Sequence, residues 1–353
     1  MKDDTKKKVL IVRLSAIGDV IMATPLVGAL KKTWPDCSVS WLVEKSAAPL
    51  LHHHPRLDEV IIWPRDEWRG MLREGRFIKL ASSICSFISG LRRRRFTIAL
   101  DVQGLLKSGI WVFLTGAERR IGVGSREGSR FLMTDTIDRS GVKNRISSQY
   151  YLLAEVMGLV TEDFRMVLEV GDEEEKFAAD FKTSLESTGY AVLCPFTTRP
   201  QKEWIARRFT ETARWLIREK GLTVVVLGGP ADAEEAGRIL LESGPEAVNM
   251  AGRTTLLEAA GLIKHAALII GVDTGLTHMG IALNVPTIAL FGATAPYLNT
   301  QGTSGTVLYH PMDCSPCRRS PTCDGDYTCM KAISTDEVLS VADSLLEPEG
   351  RTS

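Results

Sequence analysis

One alternation constrains what this chain can fold into. Short apolar runs rich in Val, Ile and Leu are separated by amphipathic stretches such as DVIMATPLVGALKKTW, RRFTETARWLIREKG and TLLEAAGLIKHA. The runs are KVLIVRL, CSVSWLV, EVIIWP, FTIALDV and RRIGVG in the first half, and YAVLCPF, LTVVVLGG, ALIIGVD and PTIALFG in the second. A continuous apolar run reads as a strand buried on both faces, and strands separated by helices form parallel sheets. The series breaks at the acidic stretch VLEVGDEEEKFAADF, near residues 168 to 176, and restarts at Tyr190. At 353 residues the chain also exceeds one typical core. It is therefore expected to be an α/β protein of two Rossmann-like domains, 1–170 and 171–353. The tail TDEVLSVADSLLEP is expected to form a closing helix with Thr335 as its N-cap.

Charge narrows the partners. Lys plus Arg and Asp plus Glu both number 43, so no global field draws the chain to nucleic acid or an anionic membrane. Such attraction must come from a local patch. The N-terminal stretch MKDDTKKKVLIVRL is too short in apolar residues for a secretory signal, and no segment is apolar enough to span a bilayer. The expectation is a cytoplasmic chain whose seven cysteines are mostly reduced.

In parallel sheets ligands collect beyond the C-terminal ends of the strands, so the strand exits hold the candidate residues. The exit RLSAIGDVIMATPLVGAL has Gly18 at a strand-to-helix turn and a carboxylate, Asp19, where a phosphate site would want no negative charge. The exit GVDTGLTHMGIALNVPTIALFG places Asp273, Thr274 and Gly275 before an apolar helix carrying His278. Free N–H groups and the positive dipole end at such a helix start suit phosphate, and a plain N-cap explains Asp273 or Thr274 equally well. PFTTRPQKEW offers Thr197, Thr198 and Lys202, a point charge for a diphosphate or a solvated loop lysine. LGGPADAEEA offers Asp232, a ribose partner or a helix cap. No G-x-G-x-x-G follows a strand and G-x-x-x-x-G-K-[ST] is absent, which disfavours dinucleotide and P-loop enzymes.

The segments RLSAIGDVIMATPLVGAL, LDVQGLLKSG, TTRPQKEW and GVDTGLTHMGIALNVPTIALFGATAP resemble the successive motifs of the ADP-heptose:lipopolysaccharide heptosyltransferases, glycosyltransferase family 9. The likeness implies GT-B architecture, two Rossmann-like domains with parallel sheets facing across a cleft. It also implies inverting, metal-independent transfer of heptose from ADP-heptose to the inner core of lipopolysaccharide, at the cytoplasmic face of the inner membrane. Asp19 matches the family's proposed general base, with the positive groups expected on the other domain. Thr197, Thr198 and Lys202 resemble its diphosphate loop, and Thr274 and Gly275 its second phosphate contact. Asp273 would bind heptose hydroxyls, Asp232 falls near the ribose-binding acid, and His278 is a donor-site residue or a core histidine. Alternatives are a family member with another nucleotide sugar or acceptor, and a sugar-nucleotide-binding protein without turnover.

On the acceptor side, candidate residues are Gly18, Arg65, Arg69, Gln103, Lys107 and Arg126. Arg73, Arg76 and Lys79 continue a basic series before an amphipathic segment (Phe77, Leu80, Ile84, Phe87, Ile88, Leu91) that ends in Arg92 to Arg95. It reads either as a surface for a phosphorylated lipid acceptor or as a core-packed helix with solvated arginines. LDVQGLLKSG and SREGS resemble the enzyme adding the first heptose to Kdo more than the one adding the second. Arg145 and Gln149 stand where many members have a histidine and an arginine. Cys314, Cys317, Cys323 and Cys329 could hold a structural metal, although their spacing fits packed thiols better. No catalytic metal or other cofactor is expected. His52, His53 and His54 read as a loop end, since adjacent side chains do not converge.

Overall fold

The computed structural model describes residues 6–139, 145–300, 305–317 and 320–347. The chain divides into two compact units, one of residues 1–143 and 147–169, the other of residues 144–146 and 170–353.

The first unit holds a six-stranded sheet of β1 (Lys8–Val12), β2 (Ser38–Glu44), β3 (Glu59–Trp63), β4 (Ile98–Asp101), β5 (Arg119–Val123) and β6 (Asp135–Ile137). Its order is β3-β2-β1-β4-β5-β6. The second unit holds β7 (Tyr190–Cys194), β8 (Thr223–Val226), β9 (Ala247–Asn249), β10 (Leu268–Val272), β11 (Thr287–Phe291) and β12 (Gly305–Tyr309), in the order β12-β11-β10-β7-β8-β9. Every pairing in both sheets is parallel. Counted along its own unit, each sheet has the doubly wound order 3-2-1-4-5-6. Each therefore reverses direction at one point, between β1 and β4 in the first and between β7 and β10 in the second.

The strands beside those reversals are the most deeply buried. Val9 to Val12 of β1, all of β7 and all of β10 are buried, so helices cover both faces. In the second unit Leu193, Val224 and Ile270 share a cluster with Phe209 and Leu216 from the helix Ala206–Lys220. Val338 and Ala342 of the closing helix Thr335–Leu346 join it. That helix is capped by Ser334, whose hydroxyl accepts the Glu337 N–H, and not by Thr335 as expected. Thr335 instead donates to Glu211 at 2.8 Å.

The amphipathic segment after the basic series is the helix Phe77–Arg93, whose Leu80, Ile84, Phe87 and Ile88 pack against the first unit's core. Beneath it Trp68, Trp111 and Phe87 meet with ring centroids 5.3 to 5.7 Å apart. Its apolar stripe is thus core, and Phe77 alone of that stripe is exposed. Among the described residues no helix is long and apolar enough to cross a membrane.

Candidate active site

Both reversals carry a charged cluster. In the first unit β1 leads into Arg13, which is buried, and the backbone N–H of Leu14 is accepted by the side-chain carbonyl of Gln103 at 2.9 Å. The helix Ile17–Ala23 then begins, with Asp19 in its first turn. Asp19 makes no capping bond. Its Oδ2 forms an ion pair with Nη2 of Arg13, whose Nη1 donates to the Val102 carbonyl at 3.1 Å. The Asp19 side chain is 36% exposed and that of Arg13 is 7% exposed. One side of the carboxylate therefore meets a buried cation while the other reaches solvent. The Tyr150 hydroxyl donates to the Asp19 carbonyl at 3.2 Å, and burial pushes that phenol up to about 12, so it acts as a neutral donor.

Beside them, Asp101 ends β4. Its Oδ1 accepts the N–H groups of Gln103 (3.1 Å) and Gly104 (2.9 Å), yet burial raises its carboxyl above the usual range. Gly104 takes a positive φ of 72°, and a Cβ there would sit 2.6 Å from the Val123 carbonyl, so only glycine fits this turn. Arg139 donates to the Gln103 and Val123 carbonyls, both at 3.4 Å.

The second unit gathers its charges more tightly. After β10, Asp273 accepts from Lys202 Nζ at 2.5 Å and from the Thr294 hydroxyl at 2.5 Å, both on Oδ2. Its Oδ1 lies 3.1 Å from Nε2 of His278, whose Nδ1 is 2.6 Å from the Tyr297 hydroxyl. The Lys202 and Asp273 side chains are 15% and 12% exposed. Burial alone would raise the Asp273 carboxyl, but His278 and then Lys202 hold it well below the usual carboxylate range. Burial pushes the Tyr297 phenol well up. The helix Gly275–Ala282 starts here with Thr274 as N-cap and no side-chain bond to its first turn, so the Thr274 hydroxyl and the leading N–H groups stay available. The helix comes close because Gly271 carries no side chain: a Cβ there would lie 2.3 Å from the Thr277 hydroxyl oxygen.

A carboxylate at one strand exit and a lysine beside a helix start at another suit proton removal and anion binding, which are the parts of a group transfer from a nucleotide. The sequence profile described as Glycosyltransferase family 9 (heptosyltransferase) matches residues 84–327. The chain belongs to that family. The chain is 29% identical over 332 residues to Lipopolysaccharide heptosyltransferase 1 of Pseudomonas aeruginosa, covering 90% of this chain and 87% of that one. It is 28% identical over 365 residues to Lipopolysaccharide heptosyltransferase 2 of Salmonella typhimurium, covering 97% and 99%. Among solved structures, Escherichia coli heptosyltransferase WaaC with ADP-2-deoxy-2-fluoro heptose matches with a TM-score of 0.72 at 22% identity, over 96% of this chain and 99% of that one. The fold is the GT-B class expected from the sequence, and this is a glycosyltransferase of the heptosyltransferase kind.

In this family 9 chain every expected site residue lies beyond the C-terminal end of a strand. Gly18 and Asp19 follow β1, Arg65 and Arg69 follow β3, Gln103 and Lys107 follow β4, and Arg126 follows β5. Thr197, Thr198 and Lys202 follow β7, Asp232 follows β8, and Asp273, Thr274, Gly275 and His278 follow β10. Several have structural partners. Arg65 Nη1 and Lys107 Nζ each lie 3.2 Å from Glu44 Oε1. Asp232 accepts the Gly229 N–H at 2.8 Å. His278 is buried, with one ring nitrogen against Asp273 and the other against the Tyr297 hydroxyl. Gln103 is likewise buried and braces the loop after β1. Arg69, Arg126 and Thr198 are exposed.

The two clusters also contain residues not singled out from the sequence: Arg13, Asp101, Arg139 and Tyr150 in one unit, Thr294 and Tyr297 in the other. Asp19 is consequently not the solitary charge it looked from the sequence. Asp101 stood in the quoted LDVQG motif and Thr294 in FGATAP, so a signal was present for both. Arg145 and Gln149 lie just before and within the helix Ser148–Val156 that brings Tyr150.

The cysteine set does not assemble as a metal centre. Among the described residues no three His, Cys, Asp or Glu side chains are placed to hold a metal ion. Cys329 is buried on the helix Thr328–Ala332, where a Cβ on Gly292 would lie 2.8 Å from its Sγ. Burial raises its thiol, while Cys314, Cys317 and Cys323 are half-buried. The histidine triplet diverges too: His54 is buried, held down to about 4 by burial, and its Nδ1 accepts the Arg56 N–H.

Proposed function

We propose that this glycosyltransferase moves heptose from ADP-heptose to the inner core of lipopolysaccharide. The acceptor is Kdo-lipid A or heptosyl-Kdo, at the cytoplasmic face of the inner membrane, and transfer inverts the anomeric centre without a required metal. The observation that carries the reading is the pairing of roles at the two reversals, a solvent-reaching carboxylate in one unit and a lysine with a free helix start in the other. Asp19 accepts the proton of the acceptor hydroxyl as that oxygen attacks the anomeric carbon. The bond to the ADP oxygen breaks with its electron pair, and the diphosphate charge falls on Lys202, Thr197, Thr198, the Thr274 hydroxyl and the N–H groups at Gly275. Asp273 has its oxygens directed by Lys202, Thr294 and His278, and its remaining lone pairs meet heptose hydroxyls. Asp232 is assigned to the ribose. Gly18, Arg65, Arg69, Gln103, Lys107 and Arg126 form the acceptor side, the cations matching its phosphates and carboxylates.

Arg13 positions the base. Its guanidinium holds one oxygen of the Asp19 carboxylate, and the exposed side of that carboxylate remains open to the hydroxyl. The test is Asp19→Ala assayed for transfer and, separately, for ADP binding by calorimetry. Transfer is expected to fall by about three orders of magnitude or more while ADP affinity holds within about twofold. Near wild-type turnover in that variant would overturn the assignment, and a panel of nucleotide sugars against the wild type decides the donor.

A further inference from the structure

The end of the hairpin formed by the helices Arg65–Arg73 and Phe77–Arg93 has no counterpart in the chemistry above. Every residue from Leu72 to Lys79 is exposed. Three of them are large and apolar: Leu72 is 54% exposed, Phe77 64% and Ile78 88%. A side chain of that size left in water is unfavourable, and three together on one turn form a patch that asks for a partner. The surrounding charge says which kind. Between residues 65 and 95 the sequence has nine Arg and Lys against three Asp and Glu, in a chain whose total charge is balanced. The helix Phe77–Arg93 contains no acid. Arg94 and Arg76 are paired with Glu59 and Glu74, whereas Arg69, Arg73 and Lys79 make no ion pair among the described residues. Beside the patch an open hollow is lined by Ile78, Lys79, Ser82, Ser83 and Phe87.

We propose that this tip docks on an anionic phospholipid bilayer, with Leu72, Phe77 and Ile78 entering the interface and Arg73 and Lys79 held at the headgroup phosphates. Apolar residues ringed by cations match that interface in both its layers. A second copy of this chain fits poorly, because the same surplus of positive charge would face itself. The body of the helix is excluded from insertion, since its apolar stripe is already packed in the core. The proposal rests on the lipid acceptor of the proposed function only for its choice of partner.

The experiment is sedimentation of the full chain with sucrose-loaded vesicles of phosphatidylcholine alone and of phosphatidylcholine with phosphatidylglycerol, at low and high salt, for wild type and for Phe77→Ser/Ile78→Ser. These positions are exposed, so the variant is expected to fold, checked by circular dichroism. The wild type should partition to anionic vesicles about tenfold or more above neutral ones, less so at high salt. The double variant should lose about tenfold or more of that binding. Equal binding by the variant, equal binding to neutral vesicles, or a dimer that the variant abolishes would overturn the proposal. Transfer to a deacylated, soluble acceptor should be unchanged in the variant. A wild type that binds anionic vesicles yet transfers no heptose would support docking and sink the transferase reading.

Discussion

Replacing Asp273 with asparagine removes one charge from an enclosed cluster and changes almost nothing in volume. Three side chains depend on that carboxylate: Lys202 and Thr294 at 2.5 Å and His278 at 3.1 Å. The amide keeps one oxygen acceptor, but its N–H₂ group must face a partner, and the Lys202 ammonium can only donate. Breaking a buried pair from one side costs about 3–5 kcal/mol, and the surviving acceptor recovers part of this, so a loss of about 2–4 kcal/mol is expected. For a unit of this size that is a fall in Tm of about 5–15 °C, read by calorimetry near neutral pH. The sign of the pH dependence follows from the depressed carboxyl. Its contribution is fully present above the ordinary carboxylate value of about 3.9 and is lost as pH falls from there toward the lower folded value. The gap between wild type and Asp273→Asn should therefore hold from about pH 7 to pH 5 and narrow below about pH 4. A variant as stable as the wild type at pH 7, or a gap of the same size at pH 3, would refute the reasoning.

Arg13→Met should leave Asp19 without its cation, lowering stability by about 1–3 kcal/mol and transfer by about tenfold or more while ADP affinity stays unchanged; parallel kcat measurement and ADP titration check it, and unaltered kcat would show that the pair is only structural. Gly271→Ala would place a methyl 2.3 Å from the Thr277 hydroxyl and 2.7 Å from the Cys194 Cβ. A loss of about 2–3 kcal/mol by urea denaturation is expected, and equal stability would contradict the close approach of the helix Gly275–Ala282 to β10.

The fold class and the strand exits worth searching were legible from local residue patterns. The strands the sequence marked are all present, and those in the sheet centres are legible because a strand buried on both faces must be a continuous apolar run, which is a local property. It missed β6, β9 and β12, each at a sheet edge and each only partly buried; DTI and AVN are moreover three residues long, too short to show a period. It also found the exits that carry the site, since glycine, Asp, Thr and Lys after an apolar run are readable in order along the chain.

Which side chain holds which depends on the three-dimensional arrangement. Lys202 and Asp273 are 71 residues apart in sequence, and Tyr150 meets Asp19 across 131. Nothing in local periodicity predicts such partners; they are selected by the sheet order, which sets β7 beside β10 and β1 beside β4. The same geometry set Lys202, Thr294 and His278 around Asp273. Charges taken out of water need partners, and the fold alone supplies them.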